Sequence, residues 1–92
     1  MFKPKLSVIT VVFNDVRHIE RTLLSVLDQT YDNIEYVIID GASNDGTLDV
    51  IKRYQHRVAK LITEPDKGIY DAMNKGLAAA TGDYVVFMNS GD

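Results

Sequence analysis

The sequence predicts an α/β fold: a parallel, doubly wound sheet of element order βαβαβαβ with its strands arranged 3-2-1-4. Three observations lead there. Four short apolar runs alternate along the chain with three segments of helical periodicity. The first run, Leu6 to Phe13, is rich in β-branched residues and nearly continuous, as a strand buried on both faces requires. Right-handed crossovers then set the order, because the first three strands wind outward one way and the fourth returns beside the first.

Each element follows from its own pattern. Leu6 to Phe13 (LSVITVVF) is the first strand, and Asn14 or Asp15 is placed to cap the helix after it. In that helix Val16, Ile19, Leu23, Val26 and Leu27 share one face, with Arg17, His18, Glu20 and Arg21 between them. The pattern stops near Gln29-Thr30. Ile34 to Ile39 is the second strand, ending at Asp40, and Gly41 to Gly46 is a turn-rich loop. Leu48, Ile51 and Tyr54 mark one stripe of a short second helix. Ala59 to Thr63 is a third strand, followed by the loop Pro65-Asp66-Lys67-Gly68. Ile69, Ala72, Met73, Leu77 and Ala80 give a third helix, and Gly82 stands where a helix-terminating glycine belongs. Tyr84 to Met88 is the fourth strand.

Size and charge narrow the function. The 92 residues fit one small domain, read as residues 1–92. With no cysteine, disulfides, thiolate metal sites and cysteine nucleophiles are excluded. A net charge of -3 offers no basic face, so nucleic acid is not an expected partner. An anionic ligand would need local help from a metal ion, a helix N-terminus or placed lysines. No stretch reaches the roughly 20 apolar residues of a membrane span. No signal-peptide pattern follows Met1-Phe2-Lys3-Pro4-Lys5. The expectation is a cytoplasmic protein, with peripheral contact at the inner face of the membrane left open.

Ligands of such sheets bind beyond the carboxyl ends of the strands where the winding reverses, here between strands 1 and 4. That edge collects Asn14 and Asp15 after strand 1, and Asp40 after strand 2. Glu64, Asp66 and Lys67 follow strand 3; Asn89, Ser90 and Asp92 follow strand 4. Ordinary loop chemistry would also place polar residues there. The turn from Phe13 to His18 contains no glycine, and no Walker lysine motif occurs, which argues against nicotinamide dinucleotide and P-loop chemistry. His18 and His56 have no partner at metal-binding spacing.

Five segments, taken in order, resemble the family 2 glycosyltransferases of GT-A fold. They are Ser7 to Asn14; Ser25, Leu27, Gln29, Thr30 and Tyr31; Ile38 to Thr47; Lys67 to Gly76; and Gly82-Asp83-Tyr84 with Asn89-Ser90-Gly91-Asp92. The last is similar to the metal-binding DXD region of that family, and the resemblance covers essentially the whole chain. It implies an enzyme that moves a sugar from a nucleoside-diphosphate donor, expected to be a UDP-sugar, to an acceptor hydroxyl with inversion. The acceptor would be a glycan or a lipid-linked molecule, in cell-surface polysaccharide synthesis.

The resemblance also assigns roles. Asp40 would accept the N3 proton of a uracil; a carboxylate only accepts, and a base N–H needs an acceptor. The alternative for Asp40 is local capping of loop backbone. Val11, Phe13 and Asn14 would line the nucleoside site, with Phe13 either stacked on the base or ribose or packed in the core. Asp92 would hold a divalent metal, Mn or Mg, that neutralises the diphosphate leaving group. Asn89 and Gly91 stand where many relatives carry aspartates, which leaves Asn89 a neutral oxygen to offer. Ser90, Lys67 and Asn74 complete the donor-binding set, with a solvated surface charge as the plain alternative for Lys67. Met73 stands where many relatives carry an arginine near the pyrophosphate, so Lys67 or Lys75 would have to substitute.

The family's general base is an aspartate past the DXD region, expected beyond residue 92. The chain then reads as the donor-binding part, inactive in transfer by itself. An uncovered fourth strand leads to an expectation of self-association. The reading from another class is a non-catalytic doubly wound regulatory module such as a phospho-receiver. A receiver needs a phospho-acceptor aspartate ending strand 3, and Thr63-Glu64-Pro65-Asp66 fits that poorly.

Overall fold

The computed structural model describes residues 3–90. Its elements are β1 (Leu6–Val12), α1 (Ile19–Leu27), β2 (Ile34–Asp40), α2 (Thr47–Arg53), β3 (Lys60–Thr63), α3 (Ile69–Ala79) and β4 (Tyr84–Phe87). One short 3-10 turn, Gln55–Arg57, joins α2 to β3 and carries no sequence signal. The sheet order is β3-β2-β1-β4 and every pairing is parallel, as the alternation of elements predicts. The winding reverses between β1 and β4.

Period-two alternation in β1 and β2 feeds two separate cores. Val8, Val12, Tyr36 and Ile38 face α1 and α2, where they meet Ile19, Leu23, Val26, Val50 and Ile51. Ile9, Val37 and Ile39 face α3 and pack on Ala72. Thr10 lies within the sheet, its hydroxyl 2.7 Å from that of Tyr36, and burial pushes the Tyr36 phenol up to about 12.

α1 buries Ile19, Leu23 and Val26 as predicted, while the start of α1 and two residues of α3 depart from the pattern. α1 starts only at Ile19; residues 16–18 form a turn, and Val16 is exposed. The Asp15 carbonyl, not an Asn14 or Asp15 side chain, receives the first amides, from His18 at 3.1 Å and Ile19 at 3.0 Å. α3 buries Ala72 and Gly76, while Ile69 and Leu77, whose spacing helps predict the helix, are 51% and 48% exposed. Small residues let the helix lie close: a Cβ on Gly76 would meet Ile9 Cγ2 at 2.5 Å. Gly82 does not cap α3, whose C-cap is Ala80 in extended conformation. Its amide donates instead to Ser7 Oγ at 2.8 Å, against a backbone too close for any side chain.

That contact belongs to a clamp at the amino-terminal end of the sheet. Glu35 is buried and accepts hydrogen bonds from Ser7 Oγ, the Thr81 amide and Thr81 Oγ1, each at 2.8 Å. Lys5 and Lys60 stand 3.4 and 3.7 Å from its carboxylate. The clamp ties the start of β4 to β1 and β2. β4 pairs with β1 on one side, and Tyr84, Val85 and Val86 in it and Met88 just after it are exposed. Among the described residues, no helix is long and apolar enough to cross a membrane.

Candidate functional site

Two clefts open at the carboxyl ends of the strands. The first, of about 500 Å³, lies at the winding reversal. Val11, Phe13, Asn14 and Asp15 from the end of β1 and Asn89 and Ser90 from the end of β4 form one side; Asp66, Gly68, Ile69 and Ala72 form the other. The second, of about 510 Å³, is lined by Phe13, Gly41, Ala42, Pro65, Asp66 and Gly68. The clefts share Phe13, Asp66 and Gly68, and Phe13 is 61% exposed, so it is a site wall and not core.

The loops that carry these residues are cross-bonded. The Asn14 amide donates to Ser43 Oγ at 2.8 Å, and the Asn44 amide returns a bond to Asn14 Oδ1 at 2.8 Å. The Asp15 amide donates to Thr47 Oγ1 at 2.9 Å, and Thr47 Oγ1 donates onward to Asp45 Oδ1 at 2.5 Å. The Thr47 hydroxyl and then backbone amides hold the Asp45 carboxyl below the usual range. Asn14 (φ 46) and Ala42 (φ 65) both adopt left-handed backbone, which non-glycine residues rarely do. Facing the first cleft, Asp15 accepts from Ser90 Oγ at 2.8 Å and pairs with His18 Nδ1 at 2.7 Å. His18 first, and Ser90 after it, lower the Asp15 pKa.

Asp40 departs from its sequence assignment. It stands at the strand end as expected, yet it is 0% exposed and lines neither cleft. Its Oδ1 accepts from Ser43 Oγ at 2.6 Å; its Oδ2 accepts from the Ser43 amide at 3.2 Å and Thr63 Oγ1 at 2.8 Å. The carboxylate folds back to fasten the loop after β2 onto β3, the capping alternative.

The other candidates divide. Val11, Phe13, Asn14, Asn89 and Ser90 come together in the first cleft. Lys67 is exposed beside it, between the lining residues Asp66 and Gly68, and its amide donates to Asp71 Oδ2 at 2.9 Å. Asn74 is exposed on α3 and lines neither cleft. Lys75 is committed elsewhere, to the Pro65 carbonyl at 2.9 Å and to Glu64 and Asp71 at 3.2 and 3.6 Å. It therefore does not stand in for a pyrophosphate arginine. Asp92, the metal candidate, lies outside the described residues, as does Gly91.

No three acidic or histidine side chains gather to hold a metal among the described residues. Asn89 nevertheless fits one ligand position, since its Oδ1 is buried and accepts no hydrogen bond. The first cleft presents the carboxylates of Asp15 and Asp66 and is lined by no lysine or arginine. An anionic ligand there would face those two carboxylates, which a cation with oxygen ligands would offset. From sequence alone Asp66 falls on this edge without a role and Gly41 in a turn-rich loop, because neighbouring strand ends meet only in the folded sheet.

A parallel sheet with clefts at its carboxyl edge and at its winding reversal defines a ligand-binding domain of the doubly wound α/β class. The sequence model described as glycosyl transferase family 2 matches residues 7–92, and the chain belongs to that family. TuaG of Bacillus subtilis, named as a glycosyltransferase of teichuronic acid biosynthesis, is 40% identical over 99% of this chain and 37% of its own length. The mannosyltransferase PcManGT of Pyrobaculum calidifontis, solved with GDP-Man and Mn2+, superposes with a TM-score of 0.86 at 32% identity, over 96% of this chain and 28% of that one. S. aureus TarS 1-349, solved with UDP-GlcNAc, gives 0.84 at 27% identity, over 92% of this chain and 26% of that one. The fold is of the GT-A type shared with these structures. The chain spans about a third of the length of the curated relatives it matches, 34% and 37% in two of them.

Proposed function

We propose that this chain is the donor-binding part of an inverting glycosyltransferase, taking a nucleoside-diphosphate sugar with uridine as its base. One observation carries the reading: two clefts that meet at Phe13 on the edge of the sheet where ligands of this fold bind. The nucleoside occupies the cleft beside Gly41 and Pro65, against Phe13. The diphosphate and sugar occupy the cleft between Asn14, Asn89 and Ser90. Lys67 supplies a flanking positive charge, and Asn74 acts from outside the cleft wall. The nucleotide sugars held by the mannosyltransferase and by TarS support this orientation of function.

The cleft's acidic lining makes a cation part of the proposal. Asn89 and Asp92 would hold a divalent ion, Mn2+ or Mg2+, which when bound supplies charge neutralisation at the departing diphosphate. Mn2+ in the mannosyltransferase complex supports that choice. Transfer with inversion needs a general base to take the acceptor hydroxyl proton. No described residue is assigned that role, and residues 1–92 are proposed to supply the binding of donor. The acceptor is a glycan or lipid-linked molecule in cell-surface polysaccharide synthesis, a role supported by the relative named for teichuronic acid biosynthesis. A cytoplasmic location with peripheral contact at the inner membrane face, and self-association through β4, belong to the same proposal.

The receiver alternative loses ground. Receiver sheets place β1 between β2 and β3, whereas here β1 lies between β2 and β4. The test is calorimetric titration of UDP with and without Mn2+, using wild-type protein and Asp92→Ala. Expected is Mn2+-dependent binding weakened about tenfold or more in the variant, the loss of one charge-assisted contact. Absence of UDP binding by folded wild-type protein would overturn the donor-site reading. Equal affinity without metal would overturn the role of Asp92.

A further inference from the structure

The acceptor that reads the base has to be sought away from Asp40, whose three accepted hydrogen bonds and complete burial leave it facing the protein interior. Resting on the donor-site reading above, we infer that Asp66 is the specificity-determining residue of the nucleoside cleft. Its carboxylate selects bases with a proton on the pairing-edge ring nitrogen.

Geometry singles out this residue. Asp66 is the only ionisable side chain among the residues lining the cleft beside Gly41. Its Oδ1 accepts from the Gly68 amide at 3.1 Å, which fixes the rotamer. Among the described residues its Oδ2 accepts no hydrogen bond, and the residue is only half-buried. Gly41 lets this oxygen in. A Cβ there would lie 2.7 Å from Asp66 Oδ2 and 3.3 Å from Phe13 Cδ1, so carboxylate and aromatic ring converge on the same bare α-carbon. A planar base laid against the exposed Phe13 ring would have the free carboxylate oxygen at its edge.

An ionised carboxylate has lone pairs and no proton to give. Uracil and guanine present a ring N–H on the pairing edge, which Oδ2 can accept. Cytosine and adenine present a ring lone pair at that position, and two acceptors facing each other in a partly dry cleft leave both unsatisfied. A site built around one hydrogen bond rejects the analogue that lacks the partner more strongly than a shape-selecting pocket does. Asp66 therefore acts by rejecting the wrong bases as well as by holding the right ones.

The experiment compares UDP, GDP, CDP and ADP in calorimetric titrations with Mn2+, on wild-type protein, Asp66→Asn and Gly41→Ala, each checked for folding by circular dichroism. Wild-type protein should bind UDP and GDP about tenfold or more tighter than CDP and ADP, since a hydrogen bond to a charged group is worth about that factor. Asp66→Asn is isosteric and keeps an oxygen for the Gly68 amide, but it can turn an N–H toward the base. It should bring the UDP-to-CDP ratio to within about threefold, where the loss of the charged acceptor leaves only weak discrimination. Gly41→Ala should do the same without touching Asp66, by pushing its carboxylate aside. Unchanged base preference in folded Asp66→Asn would overturn this assignment and leave the donor site standing. Binding of none of the four by folded wild-type protein would overturn the donor site, and this inference with it.

Discussion

At Gly76 a single hydrogen decides how α3 meets the sheet. Alanine is the better helix former by about 1 kcal/mol, yet its Cβ would press on Ile9 Cγ2, which is itself fully buried. Overpacking of this kind costs about 1–3 kcal/mol, so Gly76→Ala should lose stability on balance. Urea denaturation checks it, and a variant as stable as the parent would show that Ile9 can step aside. The same fineness governs the site. Sequence placed Asp40 and Asp66 on one rim correctly, since each follows a strand of known direction. It could not say which carboxylate keeps an oxygen free. That depends on Ser43 and Thr63 reaching Asp40, and on Gly41 making room for Asp66.

Among the elements, β4 pairs with β1 along its length and is approached by a segment, Thr81-Gly82, that Glu35 and Ser7 hold. Burial raises the Glu35 pKa, but the bonds from the Thr81 amide, Ser7 and Thr81 Oγ1, with Lys5 beyond, outweigh it and bring the carboxyl from 4.5 to about 2. A folded-state pKa below the unfolded one contributes stability that is complete above about 4.5 and lost as pH falls toward 2. Glu35→Gln should therefore flatten the acid limb of the stability curve in that window. At neutral pH it should cost about 1–3 kcal/mol, because an amide nitrogen would face donors from Thr81. Thermal melts of both proteins between pH 2 and 7 give the comparison; parallel curves would release Glu35 from this role. Element types and order were legible because each apolar run has a clear period. The faces of α3 were less so. Ile69 and Leu77 do share a stripe, but period reports which residues lie together and is silent on whether anything covers them. α1 begins late for a related reason: Val16 is in phase with the helix, while its amide is taken by Asp45 at 3.2 Å.

At the scale of the molecule, β4 forms an edge of the sheet among the described residues, with Val85 and Val86 39% and 42% exposed. Such an edge recruits partners. Sedimentation velocity of the 92-residue chain should show concentration-dependent association that Val86→Lys reduces; a single monomeric species at all concentrations would count against it. The loops at the carboxyl ends of β1 and β2 have the contrary character. Asn14 and Ala42 both adopt left-handed backbone, and the bonds of Asn14 with Ser43 and Asn44 tie their two loops together. Each such residue stores on the order of 1 kcal/mol of conformational strain, less for asparagine. The chain meets that charge once, when it folds. On the proposed donor-site reading, a nucleotide would meet a seat whose shape is already fixed, and its affinity would not be drained by loops that must first be brought to order. Loosening either turn would thus be felt in how quickly the nucleotide leaves, more than in how quickly it arrives.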